Sequence, residues 1–164
     1  MQSQWHSTPT INGVDQKDGK EFKATNVHYK HTANGGVFDA DIAGAYPKEA
    51  LVNSWIRTFT FDRTLNTIEI SEVYALSKVL KPFRLHFMTC LTPTPDPNKN
   101  QIVLKSVNTT LVMDYNSKEF EVEVDSHKTE DEKISSVWGV SVNRVTLVSK
   151  KKDLKGGHKI TFHL

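Results

Sequence analysis

A strict alternation of polar and apolar residues is the feature that most limits what this chain can fold into. Residues 119–125 read EFEVEVD, which places three apolar side chains on one face of an extended chain. The same period of two returns in residues 83–87 and 160–164. A period of two is typical of a strand that buries one face, so the sequence predicts an all-β chain.

Turn residues divide the chain into short segments. The sequence NGG at residues 34–36 predicts a hairpin, and the glycine pair at 156–157 predicts a turn before the last strand. Residues 92–100 hold three prolines in five positions, which excludes a central strand there. We predict one antiparallel β-sandwich of roughly nine to eleven strands, with at most one or two short helices near residues 46–52 or 130–137.

Charge and composition argue against several classes of protein. The chain has 21 Lys and Arg against 19 Asp and Glu, a net charge of +2, which does not indicate a nucleic-acid partner. No apolar run is long enough to predict a membrane span, and the polar N-terminus does not read as a signal peptide. Cys90 is the single cysteine, so no disulfide is expected within the chain. We expect this cysteine to be a small buried hydrophobe at a strand end.

Few residue clusters suggest an active site. His28 and His31 have a spacing seen in metal sites, but residues three apart on a strand point to opposite faces, which favours solvated histidines. Asp39 and Asp41 share one face of a predicted strand. They suit a calcium site or an acid–base pair, but the pattern favours a polar outer face.

Two other features bear on a glycan ligand. Lysines at 150–152 indicate a solvated turn, with contact to an anionic glycan as the functional alternative. Trp5, Trp55 and Trp138 could form a sugar-stacking platform, although the strand pattern around Trp55 favours a core position.

Three segments resemble a known enzyme family. Residues 6–16 (HSTPTINGVDQ) resemble the His-Asn-x-Pro-x-Ile-Asn-Gly-x-x-Gln segment of heparinase II/III-like and alginate-lyase-like polysaccharide lyases. Residues 38–47 (FDADIAGAYP) and 55–63 (WIRTFTFDR) follow in the order of that family's Asp-Leu-x-x-Ala-Tyr-Pro and Trp-x-Arg-x-x-x-x-x-Asp-Arg motifs. Beyond residue 73 the resemblance is limited to a strand pattern and a Trp-Gly pair.

The resemblance implies a fold and an activity for the parent protein. Members of that family are exported bacterial enzymes in which a helical toroid precedes antiparallel β-sandwich layers. They cleave uronic-acid-containing polysaccharides by β-elimination, a form of general acid–base catalysis. The family's catalytic groups lie upstream of the matched segments, so the resemblance assigns no catalytic residue to this chain. It implies a periplasmic or extracellular location, an anionic polysaccharide substrate and the upstream toroid as partner.

One metal ligand is suggested by the same resemblance. In zinc-bearing members, the histidine at the position of His6 completes a site whose other ligands lie upstream. Ser7 departs from the family's usual asparagine. A structural zinc site needs about four ligands, so His6 alone is an incomplete site. We expect no cofactor in this chain by itself, with zinc or calcium in the longer parent.

The remaining matched positions are expected to have structural roles. The Asn-Gly pair has the form of a tight turn, the residue before proline is biased toward an extended backbone, and the arginine can stack or pair beside the tryptophan. These structural motif positions are Asn12, Gly13, Tyr46, Pro47, Trp55 and Arg57.

The resemblance also predicts a division of the chain. Residues 1–18 are expected to be the arm or edge strand of a sheet that continues upstream, and residues 19–164 a single sandwich domain. Trp5 and Ile11 would then lose partners on the missing sheet. The favoured function is the C-terminal sandwich of a lyase, catalytically silent alone. The alternative is a stand-alone module that binds acidic glycans through Lys and Trp side chains.

Overall fold

The alternating segments form antiparallel strands in the computed structural model, which describes residues 5–164. The strands are β1 (Pro9–Thr10), β2 (Thr25–Thr32), β3 (Gly35–Asp41), β4 (Val52–Asp62), β5 (Thr67–Leu76), β6 (Arg84–Thr89), β7 (Thr92–Asp96), β8 (Gln101–Lys105), β9 (Thr110–Asp114), β10 (Phe120–Lys128), β11 (Ser141–Ser149) and β12 (Lys155–His163). The helix α1 spans Glu132–Trp138, and short 3-10 helices span Ala43–Ala45 and Lys48–Ala50. The all-β prediction is confirmed, and both regions predicted to hold a short helix contain one.

These strands form two sheets of unequal size. The small sheet has the order β1-β6-β11-β10, and the large sheet has the order β2-β3-β4-β5-β12-β9-β8-β7. The paired strands run antiparallel, as the predicted sandwich requires. The proline-rich segment forms β7, which lies at an edge of the large sheet, where a missing N–H donor costs least. The NGG hairpin is also present, since Thr32 pairs with Gly35.

The core lies where the small sheet covers the large one. Trp55 of β4 is fully buried and stacks on Tyr74 of β5 at a ring-centroid distance of 5.1 Å. Phe83 meets the Trp55 ring edge-on at 5.2 Å. Other buried core side chains are Leu85, Ile102, Leu104, Met113, Phe120, Val145, Leu147 and Ile160. In the strands that contribute to this core, the apolar side chains of the alternating pattern are the ones that pack between the sheets.

The glycine pair at 156–157 does not form the predicted turn. Both residues lie inside β12, where Gly156 pairs with Tyr74. A Cβ atom on Gly156 would lie 2.8 Å from the Tyr74 hydroxyl oxygen and 3.0 Å from its Cζ atom. The glycine is required by the close approach of a buried ring, a reason that the local sequence does not display.

Cys90 is exposed, so the prediction of a buried cysteine is wrong. Phe83, Leu85 and Phe87 point into the core, and alternation therefore places residue 90 on the opposite face, with His86. Cys90 also lies one residue beyond the end of β6 at Thr89, so it is outside the paired part of the strand.

The large sheet extends its inner face beyond the small sheet. Phe61 lies on the same face of β4 as Trp55, and its register partner on β5 is Ile68. Five side chains of this face are between 41% and 78% exposed: Tyr29, Phe38, Phe61, Ile68 and Leu164. We call these five residues the open aromatic face. A cavity of about 450 Å³ lies within it, lined in part by Phe61, Ile68 and Leu164.

We predict that Gly156→Val destabilises the fold by about 1–3 kcal/mol, because the added side chain collides with the buried Tyr74 ring. Urea unfolding followed by circular dichroism measures the change. The control is Lys155→Val on the same strand, where the native side chain is exposed and the change should stay below about 0.5 kcal/mol. Equal unfolding midpoints for the two variants would contradict the role given to Gly156.

Candidate functional site

A cleft of about 420 Å³ lies at one end of the small sheet. Its walls come from the N-terminal segment, the ends of β6 and β10, the helix α1 and the start of β11. Trp5 and Trp138 both line it, together with His6, His127 and Lys128. The volume falls within the range of about 300–1,000 Å³ that is usual for small-molecule sites. We call it the tryptophan cleft.

The helix α1 forms one wall of the tryptophan cleft. It begins at Asp131, whose side chain accepts hydrogen bonds from the backbone N–H of Lys133 and Ile134 at 2.7 and 3.4 Å. At the other end, the hydroxyl of Thr129 donates to the carbonyl of Gly139 at 2.5 Å. The helix is therefore tied at both ends, which fixes Trp138 at its C-terminus.

Trp5 forms the opposing aromatic surface. Its ring lies edge-on to the His127 ring at 4.3 Å, and the Arg144 guanidinium lies over it at 5.1 Å. Arg144 is itself paired with Asp125 at 2.9 Å. Trp5 is 40% exposed and Trp138 is 42% exposed, whereas Trp55 is fully buried. Two of the three tryptophans considered for a platform thus share one cleft, and the third belongs to the core.

His6 lines this cleft but has no complete ligand set. Within residues 5–164, no group of three or more His, Cys, Asp or Glu side chains is placed to hold a metal ion. These residues alone therefore do not fit a structural zinc site, and the metal role of His6 stays a prediction.

The predicted turn at Asn12 and Gly13 has the expected backbone. Asn12 and Gly13 have φ angles of 54° and 79°, and Ile11 and Val14 exchange backbone hydrogen bonds at 3.0 and 2.9 Å. Ile11 is fully buried, so it finds its partners within this chain. The expectation that it loses them on a missing sheet is wrong. The division of the chain at residue 18 stays a prediction.

The Asn12 side chain makes four hydrogen bonds to the backbone. Its amide donates to the carbonyls of Ala50 and Lys78 at 2.8 and 2.9 Å. Its oxygen accepts from the N–H groups of Leu80 and Lys81 at 2.7 and 3.2 Å. One side chain therefore ties the turn to two loops far away in sequence.

Two further motif residues hold the same N-terminal segment. The Tyr46 hydroxyl donates to the carbonyl of Pro9 at 2.5 Å, and Arg57 Nη1 donates to the carbonyl of Ser7 at 2.7 Å. Burial raises the pKa of Tyr46 well above its usual value, so the hydroxyl stays a donor. Tyr46 has the extended backbone expected before Pro47. We call Asn12, Tyr46 and Arg57 the N-terminal clamp.

Arg57 also belongs to a buried ionic network. Its Nε donates to Oε1 of Glu72, and Nε2 of His158 lies 2.6 Å from Oε2 of the same carboxylate. Burial alone would raise the pKa of Glu72, but Arg57 and the hydrogen bond from His158 hold it below its usual value. The carboxylate therefore stays ionised between its two partners.

Sequence reasoning missed Glu72 and His158, although a signal was present. Both residues occupy the inward phase of their strands, alongside Tyr74 and Ile160. Arg57 does the same in β4. Charged residues in the apolar phase of three strands indicate a buried network, because an unpaired charge there would be costly.

The other acidic and basic candidates have local structural contacts. His28 pairs with Asp39 at 2.9 Å on an exposed surface. Asp41 accepts from the N–H groups of Ala43 and Trp55 at 3.0 Å each. In the lysine run, the ammonium of Lys150 donates to the Ser117 carbonyl at 2.8 Å, and Lys151 pairs with Glu119 at 2.9 Å.

His86 links the N-terminal segment to the small sheet. Its ring bridges the hydroxyls of Thr10 and Thr146 at 2.9 and 3.0 Å. Burial, together with Arg144 and Arg84, lowers the pKa of His86 to about 4. The imidazole is therefore neutral at pH 7.

We predict that Asn12→Ala lowers the free energy of unfolding by about 3 kcal/mol, because four backbone groups lose their partner. Asn66→Ala is the matched control, since Asn66 has a similar φ of 51° but an exposed position. It should cost about 1 kcal/mol, from backbone strain alone. Denaturant unfolding of both variants decides the matter, and equal losses would show that the side-chain bonds contribute little.

We also predict a pH dependence that comes from His86. The unfolded chain binds a proton near the ordinary pKa of 6.5, but the folded chain does so only near 4. Stability from this group is therefore present above pH 6.5 and is lost as the pH falls toward 4. His86→Gln should flatten the stability curve in that window, whereas His31→Gln, at an exposed position, should leave it unchanged. Parallel curves for the native chain and His86→Gln would refute this assignment.

The fold matches solved polysaccharide lyases over nearly the whole chain. The structure of heparan sulfate lyase HepC from Pedobacter heparinus superposes with a TM-score of 0.70 and 15% identity, covering 99% of this chain. A mutant of that lyase gives a TM-score of 0.72 at 15% identity and 99% coverage of this chain. A heparinase III described as the BT4657 gene product gives 0.70 at 10% identity and 98% coverage.

The match concerns only part of those proteins. This chain spans about a quarter of their length, 24% in each case. Neither a protein-family model nor a curated protein sequence matches it. No helix within residues 5–164 is long and apolar enough to cross a membrane. The predicted resemblance is confirmed at the level of the fold: the chain has a β-sandwich that matches about a quarter of the length of each of these lyase structures.

Proposed function

We propose that this chain is the β-sandwich portion of a heparinase II/III-like polysaccharide lyase. The parent enzyme would cleave uronic-acid-containing polysaccharides by β-elimination outside the cytoplasm. Its catalytic groups would lie on an upstream helical domain of the same polypeptide, and the sandwich would support that domain. Any zinc or calcium would belong to the longer parent. The proposal rests on the shared fold and on the small share of the lyases that the chain spans.

The open aromatic face is the observation that carries the supporting role. Tyr29, Phe38 and Phe61 lie on the inner face of the large sheet, the side that packs against the small sheet elsewhere. An exposed apolar surface of this kind marks an interaction site. In the proposed lyase, the rest of the polypeptide covers it.

The N-terminal clamp supports the same proposal. Arg57 and Tyr46 hold the backbone at Ser7 and Pro9, while Asn12 fixes the turn that follows. The segment that carries His6 therefore has a defined position relative to both sheets. A fixed position is what a ligand contributed to a shared metal site would need.

The alternative is a module that binds acidic glycans without cleaving them. The tryptophan cleft favours it, because two exposed indoles and a lysine line one small-molecule-sized cavity. A binding module would work as an isolated chain, whereas the supporting role requires a covering partner. The supporting role thus requires the open aromatic face to be covered by a partner, whereas the binding module does not.

We predict that Tyr29→Ser combined with Phe61→Ser affects the parent enzyme but not the isolated chain. Tyr29 is 68% and Phe61 41% exposed here, so the chain should keep its stability within about 1 kcal/mol. In the parent, the lost interface should lower the melting temperature and reduce the formation of unsaturated uronates from heparan sulfate. Ultraviolet absorbance follows that product.

A matched control lies on the other face of the same sheet. Ile56 and Val73 are partly exposed register partners there, and replacing both by Ser should change neither the parent nor the chain. Equal effects of the two pairs in the parent would contradict the covered face. Lyase turnover by the isolated chain would contradict the placement of the catalytic groups elsewhere.

A further inference from the structure

We infer that the tryptophan cleft is a binding site for one acidic sugar ring of a polysaccharide, separate from the bond that is cleaved. The kind of polysaccharide rests on the proposed function. The site itself rests on the residues that line it, which belong to this chain.

The indole surfaces supply the apolar part of the site. Trp5 and Trp138 approach the cleft from different elements, and each keeps about two fifths of its surface exposed, at 40% and 42%. The C–H face of a pyranose ring is apolar, and a rigid indole offers a large surface for it at low entropic cost. Trp5 already packs against His127 and Arg144, so its side chain loses little further conformational entropy when a ligand binds.

The rim supplies complementary polar groups. Lys128 and Glu130 both line the cleft, and within the described part of the chain neither takes part in an ion pair. An ammonium group suits a uronate carboxylate or a sulfate, and a carboxylate suits the hydroxyl groups of the ring. A sugar with both kinds of substituent matches this pair, whereas a purely apolar ligand would leave both charges unused.

The cleft can be altered without loss of the fold. The helix α1 contains no buried residue, so Trp138 can be replaced without opening the core. Val137 is its neighbour on the same helix, is 79% exposed and does not line the cleft, which makes it a matched control. Trp55 is fully buried, so a change in tryptophan fluorescence on binding reports on Trp5 and Trp138.

The test is a titration of this chain with a heparan sulfate hexasaccharide, followed by tryptophan fluorescence and calorimetry. Trp138→Ala should weaken binding by about tenfold, as expected for an aromatic anchor, while Val137→Ala should leave it unchanged. Lys128→Ala should weaken binding and reduce its salt dependence, whereas Lys152→Ala, away from the cleft, should not.

Two outcomes would overturn the inference. Equal affinity of Trp138→Ala and Val137→Ala, or no binding by the native chain, would exclude the cleft as a sugar site. Equal affinity for a neutral hexasaccharide such as cellohexaose would exclude the acidic ligand. Neither outcome touches the supporting role in a lyase, because that role is tested in the parent enzyme through the open aromatic face.

Discussion

The ionic network of Arg57, Glu72 and His158 is the interaction on which the arrangement of this sandwich depends. It lies in an aromatic core beside Trp55 and Tyr74, where an unpaired charge would be very costly. Each of these groups therefore needs the other two as partners. The contacts form because Arg57 of β4 lies opposite Glu72 of β5, and Glu72 lies opposite His158 of β12. Because Arg57 also holds the carbonyl of Ser7, the same network sets the position of the N-terminal segment.

The unequal size of the two sheets explains the open aromatic face. A small sheet of four strands cannot cover the inner face of an eight-stranded sheet, so the open aromatic face remains at the uncovered part. The tryptophan cleft has a different origin, since α1 and the N-terminal segment close around one end of the small sheet. One surface suits a large apolar partner, and the other suits a small ring with polar substituents.

These two surfaces are compatible with one enzyme. A polysaccharide lyase must hold a long anionic chain while it cleaves one bond, so a sugar contact away from the catalytic groups adds affinity without entering the reaction. A supporting domain that also contacts the polymer would perform both tasks. The N-terminal clamp holds the segment that carries Trp5 and His6 at the cleft, through hydrogen bonds from residues distant in sequence.

The sequence by itself determined the all-β class, several of the alternating strands, the Asn12-Gly13 turn and the exclusion of a central strand at the proline segment, because alternation and turn chemistry act over a few residues. It also placed Trp55 in the core. Only the tertiary structure decided the rest. Gly156 lies in a strand because Tyr74 approaches it, and Glu72 meets His158 across 86 positions. Trp5 and Trp138 share a cleft because elements far apart in the chain converge, and such convergence leaves no periodicity for local sequence reasoning to detect.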